Sequence, residues 1–166
     1  METKPQSNRM FAILVLYDMH TTYFNNALDG IADADAHNRL ATKANHIAWI
    51  AGSVLEGRFE LANWFGIEAK SQSNELFKHN KGIQDDVQYP SLDSYKKDWA
   101  TISPILREKL LLASEVELDR ILDFPEMGMS FPLYDMVTFN TYREANCIGQ
   151  IALWRRLLNY PAMKYM

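Results

Sequence analysis

The sequence predicts an all-α fold, a four-helix bundle, on three observations. Apolar residues recur at helical spacing in four segments, strand-like alternation is missing, and the composition is that of an ordinary globular chain. With 48% apolar and 23% charged residues and only 7 Gly and 6 Pro among 166, there is material for one core and little to break helices. Residues 1–166 are therefore read as a single domain.

The first helix is expected over residues 9–28, with Phe11, Leu14, Val15, Met19, Tyr23 and Leu28 in helical register behind the capping candidates Ser7 and Asn8, and Asp29 and Gly30 ending it. After a polar link, a second helix over residues 42–64 takes Thr42 as its cap and Gly66 as its stop. Residues 67–90 are polar and irregular and read as a long crossover, with one helical turn near residues 74–77. Ser91 caps a third helix carrying Leu92, Tyr95, Trp99, Ile102, Leu106, Leu110 and Leu111, in which Pro104 should produce a kink. The last helix is begun by Ser130 and Pro132 and ended by Asn159 ahead of Pro161.

The net charge of −4 offers no general attraction to phosphate backbones, so nucleic acid is not expected as a partner. Cys147 is the single cysteine and cannot form an internal disulfide, which suits a reducing compartment, and cytoplasm is the default location. The apolar run at residues 11–16 is too short for a signal segment or a membrane span, so neither export nor membrane insertion is expected.

Residues four and seven apart share a helix face. His46, Trp49, Ser53 and Glu60 fall on one stripe of the second helix, with Glu56 at its margin, and Arg143, Cys147, Gln150 and Trp154 fall on one stripe of the last. Polar groups on a core-facing stripe point to a cavity or a wet boundary. His20, His37 and His79 have no metal-ligand spacing and read as surface or cap residues, and the four tryptophans read as core fillers.

The segments NHIAWIAGSVLEGRF (residues 45–59) and YREANCIGQIALWRRLL (residues 142–158) resemble the two signature helices of the DinB-like (DinB/YfiT) superfamily of four-helix metalloenzymes. The spacing between them, the FKHNKG and YPSLDSY stretches and the total length fit as well. The resemblance implies a bundle with a long crossover between helices two and three. It also implies nickel or zinc held by three histidines, one in a pattern like WxxGH and two in a pattern like HExxHIGQ. The matching positions here are Ser53, Arg143 and Cys147. A serine hydroxyl is a poor ligand and arginine cannot ligate, so no metal is expected, and nickel or zinc on an unusual set of His46 and Cys147 is the alternative.

Arg143 then reads either as a clamp for the anionic group of a ligand or as the partner of Glu56 or Glu60 in space left by the metal. Cys147 reads as a packing residue or, with its thiol acidified by Arg143, as a nucleophile. The expected function is a DinB-like protein without the family metal, non-catalytic or binding a small anionic or thiol ligand in a residual cavity lined by His46, Trp49, Ser53, Glu56, Arg143, Cys147 and Gln150. The alternatives are a metal-dependent thiol transferase or hydrolase and a structural homodimer.

Overall fold

Residues 4–165 are described by a computed structural model. The protein is mostly helical with one small sheet, in the order α1 (Met10–Leu28), α2 (Asp33–Ala36), α3 (Ile47–Trp64), α4 (Asn74–Phe77), a 3₁₀ turn (Lys78–Asn80), α5 (Leu92–Leu112), α6 (Glu115–Leu118), β1 (Ile121–Phe124), β2 (Met129–Pro132) and α7 (Leu133–Leu157). Among the described residues no helix is long and apolar enough to cross a membrane.

Four long helices form a ring in which α1 and α3 each pack against both α5 and α7. Tyr17 reaches Ser103 while Thr21 reaches Trp99, so α1 and α5 are antiparallel. His20 meets Glu144 and Ala27 meets Arg155, so α1 and α7 run in parallel. Parallel neighbours cannot be joined by a tight hairpin. The same holds for α3 and α5, where Arg58 meets Ser103 and Gly52 lies beside Tyr95, and residues 65–91 supply the crossover.

The helix stops fall where the sequence places them. Gly66 (φ 78°) and Asn159 (φ 64°) take the left-handed conformation that closes a helix. In each case the next amide reaches back: Ile67 N–H to the Ala62 carbonyl and Tyr160 N–H to the Arg155 carbonyl. Ser91 caps α5 by accepting from the Ser94 N–H, and that helix runs on through Pro104.

Four expectations are corrected. The cap of α3 is His46, not Thr42, because Leu40 and Ala41 adopt positive φ and Thr42 bonds within that turn, its hydroxyl donating to the Arg39 carbonyl. Neither Ser7 nor Asn8 occupies the cap position of α1; Arg9 does, without a side-chain bond, and the Ser7 hydroxyl instead donates to Glu115. Ser130 does not start the last helix. It lies in β2, where its hydroxyl donates to Asp123 on β1 at 2.7 Å. This antiparallel hairpin, in register Ile121↔Pro132 to Phe124↔Met129, also overturns the absence of strands; four residues per strand are too few to display alternation.

The ring encloses an aliphatic and aromatic core with a charge at its centre. The Arg58 guanidinium, wholly buried, donates from Nε to Glu144 Oε1 (2.6 Å) and from Nη2 to Glu144 Oε2 (2.9 Å). Its Nη1 donates to Ser103 Oγ and Thr21 Oγ1, and its Cζ lies 3.5 Å from the Trp99 ring centroid and 4.0 Å from that of Tyr17. His20 Nδ1 lies 3.2 Å from Glu144, so His20 belongs to the core and not, as expected, to the surface or a cap. Burial alone would raise the Glu144 pKa, but the Arg58 charge, its hydrogen bonds and His20 together hold it below the ordinary carboxylate value.

Candidate functional site

Along α3, Trp49, Ser53, Glu56, Glu60 and Trp64 fall on the side that meets α7, while α7 supplies Met136, Phe139, Asn140 and Arg143. Between them lies an open cavity of about 680 Å³. Phe77 and His79 close one end beside Trp49, and Phe124 and Met127 of the hairpin close the other beside Trp64. Gly57 makes the close approach of the two helices possible: a Cβ there would stand 2.7 Å from Arg143 Nη1 and 2.6 Å from Asn140 Oδ1.

Arg143 is half-buried, and its Nη2 donates to Ser53 Oγ at 2.5 Å. The expected ion pair with Glu56 or Glu60 is not formed. Glu56 is buried and accepts instead from Ser71 Oγ and from Asn74 Nδ2 (3.0 Å), which ties the crossover to α3. Loss of hydration raises the Glu56 pKa, eased by the Asn74 bond and reinforced by Glu60 and Asp98. Glu60 reaches solvent, yet it sits low enough between the helices that lost hydration raises its pKa as well, against the pull of Arg143. It has no hydrogen-bond or ion-pair partner among the described residues. The Trp49 indole N–H is shut off from solvent and also lacks an acceptor.

Of the seven predicted site residues, Trp49, Ser53, Glu56 and Arg143 meet around this cavity and three do not. His46 stands at the start of α3, where its Nδ1 accepts from the Trp49 N–H at 3.1 Å and its ring packs against His37 and Tyr89. Gln150 is exposed and donates to Asn146 one turn earlier. Cys147 is half-buried off the cavity wall, and burial raises its thiol pKa more than Arg143 lowers it, so the expected acidification by Arg143 does not prevail.

The position triplet Ser53, Arg143 and Cys147 does not suit a metal ion. Two of its members are joined by an arginine-to-hydroxyl bond that directs a fixed positive charge at the place a cation would occupy. The alternative set of His46 and Cys147 is not brought together on the cavity, and among the described residues no cluster of three or more His, Cys, Asp or Glu could hold a metal. A smaller cavity of about 300 Å³ near the C-terminus contains Arg155, whose guanidinium is committed to the carbonyls of Ala27, Asp29 and Pro161.

Sequence reasoning passed over Glu60 as a site residue although it lies on the stripe of Ser53, seven residues on. It also missed Asn140 and Phe139, which lie three and four residues before Arg143, and Phe124 and Met127, which reach the site only through the hairpin. No protein-family model, curated protein or solved structure matches the chain.

Proposed function

We propose that the protein is a four-helix bundle of the DinB/YfiT type that lacks the family's metal and binds a small ligand, non-catalytically, in the cavity between α3 and α7, with Arg143 receiving the ligand's anionic group. The observation that carries this reading is the cavity of about 680 Å³ with a guanidinium on its wall held by a neutral hydroxyl and not by a carboxylate. The parallel placement of α3 and α5 and the crossover between them support the bundle type. The thiol transferase or hydrolase alternative is not favoured, because His46 and Cys147 both lie away from the cavity.

A thermal-shift screen of small carboxylates, phosphates and thiols tests the binding. A carboxylate or phosphate at one hundred times its Kd should stabilise the fold by about 2.7 kcal/mol, and Arg143→Met should remove that gain. An equal shift in the Arg143→Met protein would sink the assignment.

A second reading, a homodimer, is favoured by the outer face of α1, where Phe11, Val15, Leu16 and Met19 are exposed, beside an α7 that exposes Tyr142, Leu153 and Leu157. Sedimentation equilibrium should then give twice the chain mass, reduced to one chain by Val15→Lys with Met19→Lys. A single-chain mass for the parent protein at high micromolar concentration would dismiss the dimer.

A further inference from the structure

The cavity has two chemically distinct ends around Arg143. At the Phe77 end the Lys81 ammonium donates to the Glu75 carbonyl and the Glu56 carboxylate accepts from Ser71 and Asn74. At the hairpin end stands Glu60, a carboxylate with no partner among the described residues and with its pKa raised by lost hydration. Around it the wall is Trp64, Phe124, Met127 and Phe139, with Trp64 and Phe124 edge to face at 5.8 Å. A carboxylate among aromatic faces is the environment that stabilises an ammonium group, by charge pairing and by the negative face of each ring.

Arg143 lies against α3 between Ser53, which its Nη2 touches, and Gly57, whose Cα its Nη1 covers. Glu60 is three residues beyond Gly57 and seven beyond Ser53, so its backbone lies roughly 5–10 Å farther along the helix axis than the stretch that Arg143 covers, at 1.5 Å per residue. An offset of that size is comparable to the ~7 Å spanned by two extended residues. The Asn140 Oδ1, which lies against Gly57 together with Arg143 Nη1, adds an acceptor near Arg143.

We propose that the cavity selects an extended zwitterion, a dipeptide or ω-amino acid, whose carboxylate meets Arg143 and Ser53 and whose ammonium meets Glu60 beside the Trp64–Phe124 pair. This rests on the reading of the cavity as a small-ligand site with an anion anchor and adds its opposite pole. Neither charge at the site forms an ion pair among the described residues, and one molecule carrying both signs satisfies the two together.

Three probes of equal chain length separate the possibilities: 6-aminohexanoate, hexanoate and hexylamine, titrated into the full-length protein by calorimetry. The zwitterion is expected to bind at least about tenfold more tightly than either singly charged probe, a difference of about 1.4 kcal/mol. Glu60→Gln should reduce its affinity to that of hexanoate, and Arg143→Met to that of hexylamine. Glu60 is solvent-reaching and outside the core, and its raised pKa means the charged form gains nothing from folding, so Glu60→Gln should not lower the melting temperature of the free protein. If hexanoate binds as tightly as 6-aminohexanoate and Glu60→Gln changes neither, the zwitterion is overturned while the anion site stands. If Arg143→Met leaves all three affinities unchanged, both fall, and absence of binding by 6-aminohexanoate at millimolar concentration overturns the zwitterion outright.

Discussion

Replacing Arg58 by alanine is expected to cost about 3–5 kcal/mol of folding stability. The Glu144 carboxylate would remain 2% exposed with its two-pronged partner gone, and Ser103 Oγ and Thr21 Oγ1 would each lose a donor. A domain of ordinary stability holds only about 5–15 kcal/mol in total, so urea denaturation should show the midpoint falling by about a fifth or more. The double variant Arg58→Met with Glu144→Leu removes both charges while keeping much of the volume, and should recover a large part of the loss. If the double variant is as unstable as Arg58→Ala, the cost belongs to packing against Trp99 and Tyr17 and not to the orphaned carboxylate.

The same pair sets the acid limit of the fold. Glu144 has a folded-state pKa below its unfolded value, so its stabilising contribution is complete above the ordinary carboxylate pKa and disappears as pH falls through the lower, folded value. Such a pair is not needed to fill the space. Its two-pronged geometry fixes how α3 and α7 face each other, which is also what brings Ser53 to Arg143 on the outer side of the same two helices.

This centre was legible in the sequence in one respect that the face analysis did not use. The residues three, four and seven away from Arg58 include Ala51, Val54, Leu55, Leu61, Ala62 and Phe65, all apolar, which places Arg58 in the middle of the core face. Around Glu144 the same offsets give Val137, Thr141, Cys147, Ile148 and Ile151, with Asn140 the one strongly polar neighbour. Periodicity marks which face is buried, but a charge on that face is stable only if partners converge from other helices, and His20, Thr21 and Ser103 come from segments whose approach no spacing reveals. The four long helices and the stops at Gly66 and Asn159 were readable because propensity and left-handed closure are local. The start of α3 was not, since Thr42 has the chemistry of a cap but sits in a turn whose carbonyls are gathered by the distant-reaching Arg39 guanidinium, bonded to Lys43 O, Ala44 O and Asp85. The candidate site divides in the same way: Ser53, Glu56 and Arg143 follow from helix faces, whereas the hairpin wall and the unpaired state of Glu60 follow only from the packed chain.

His46 in the cap position should make the fold lose stability on mild acidification. In the neutral ring Nδ1 accepts from the Trp49 N–H, and protonation would turn that acceptor into a donor facing a donor. Burial, then the nearby His37 and Arg39, push the His46 pKa from 6.5 to about 4, with Asp85 opposing them. Because the folded value lies below the unfolded one, the contribution of His46 is complete above about pH 6.5 and is lost as pH falls towards 4, amounting to about 3 kcal/mol. His46→Asn keeps an acceptor of similar reach for the Trp49 N–H and removes the titration. Denaturation series from pH 7.5 to 4.5 should therefore show the parent protein losing about 2–3 kcal/mol more than the Asn variant. The packing of the His46 ring on Tyr89 is lost equally at every pH, and acid effects through Glu144 are common to both proteins, so each cancels in the difference between the two slopes. Parallel pH profiles would mean that the ring protonates without giving up the cap.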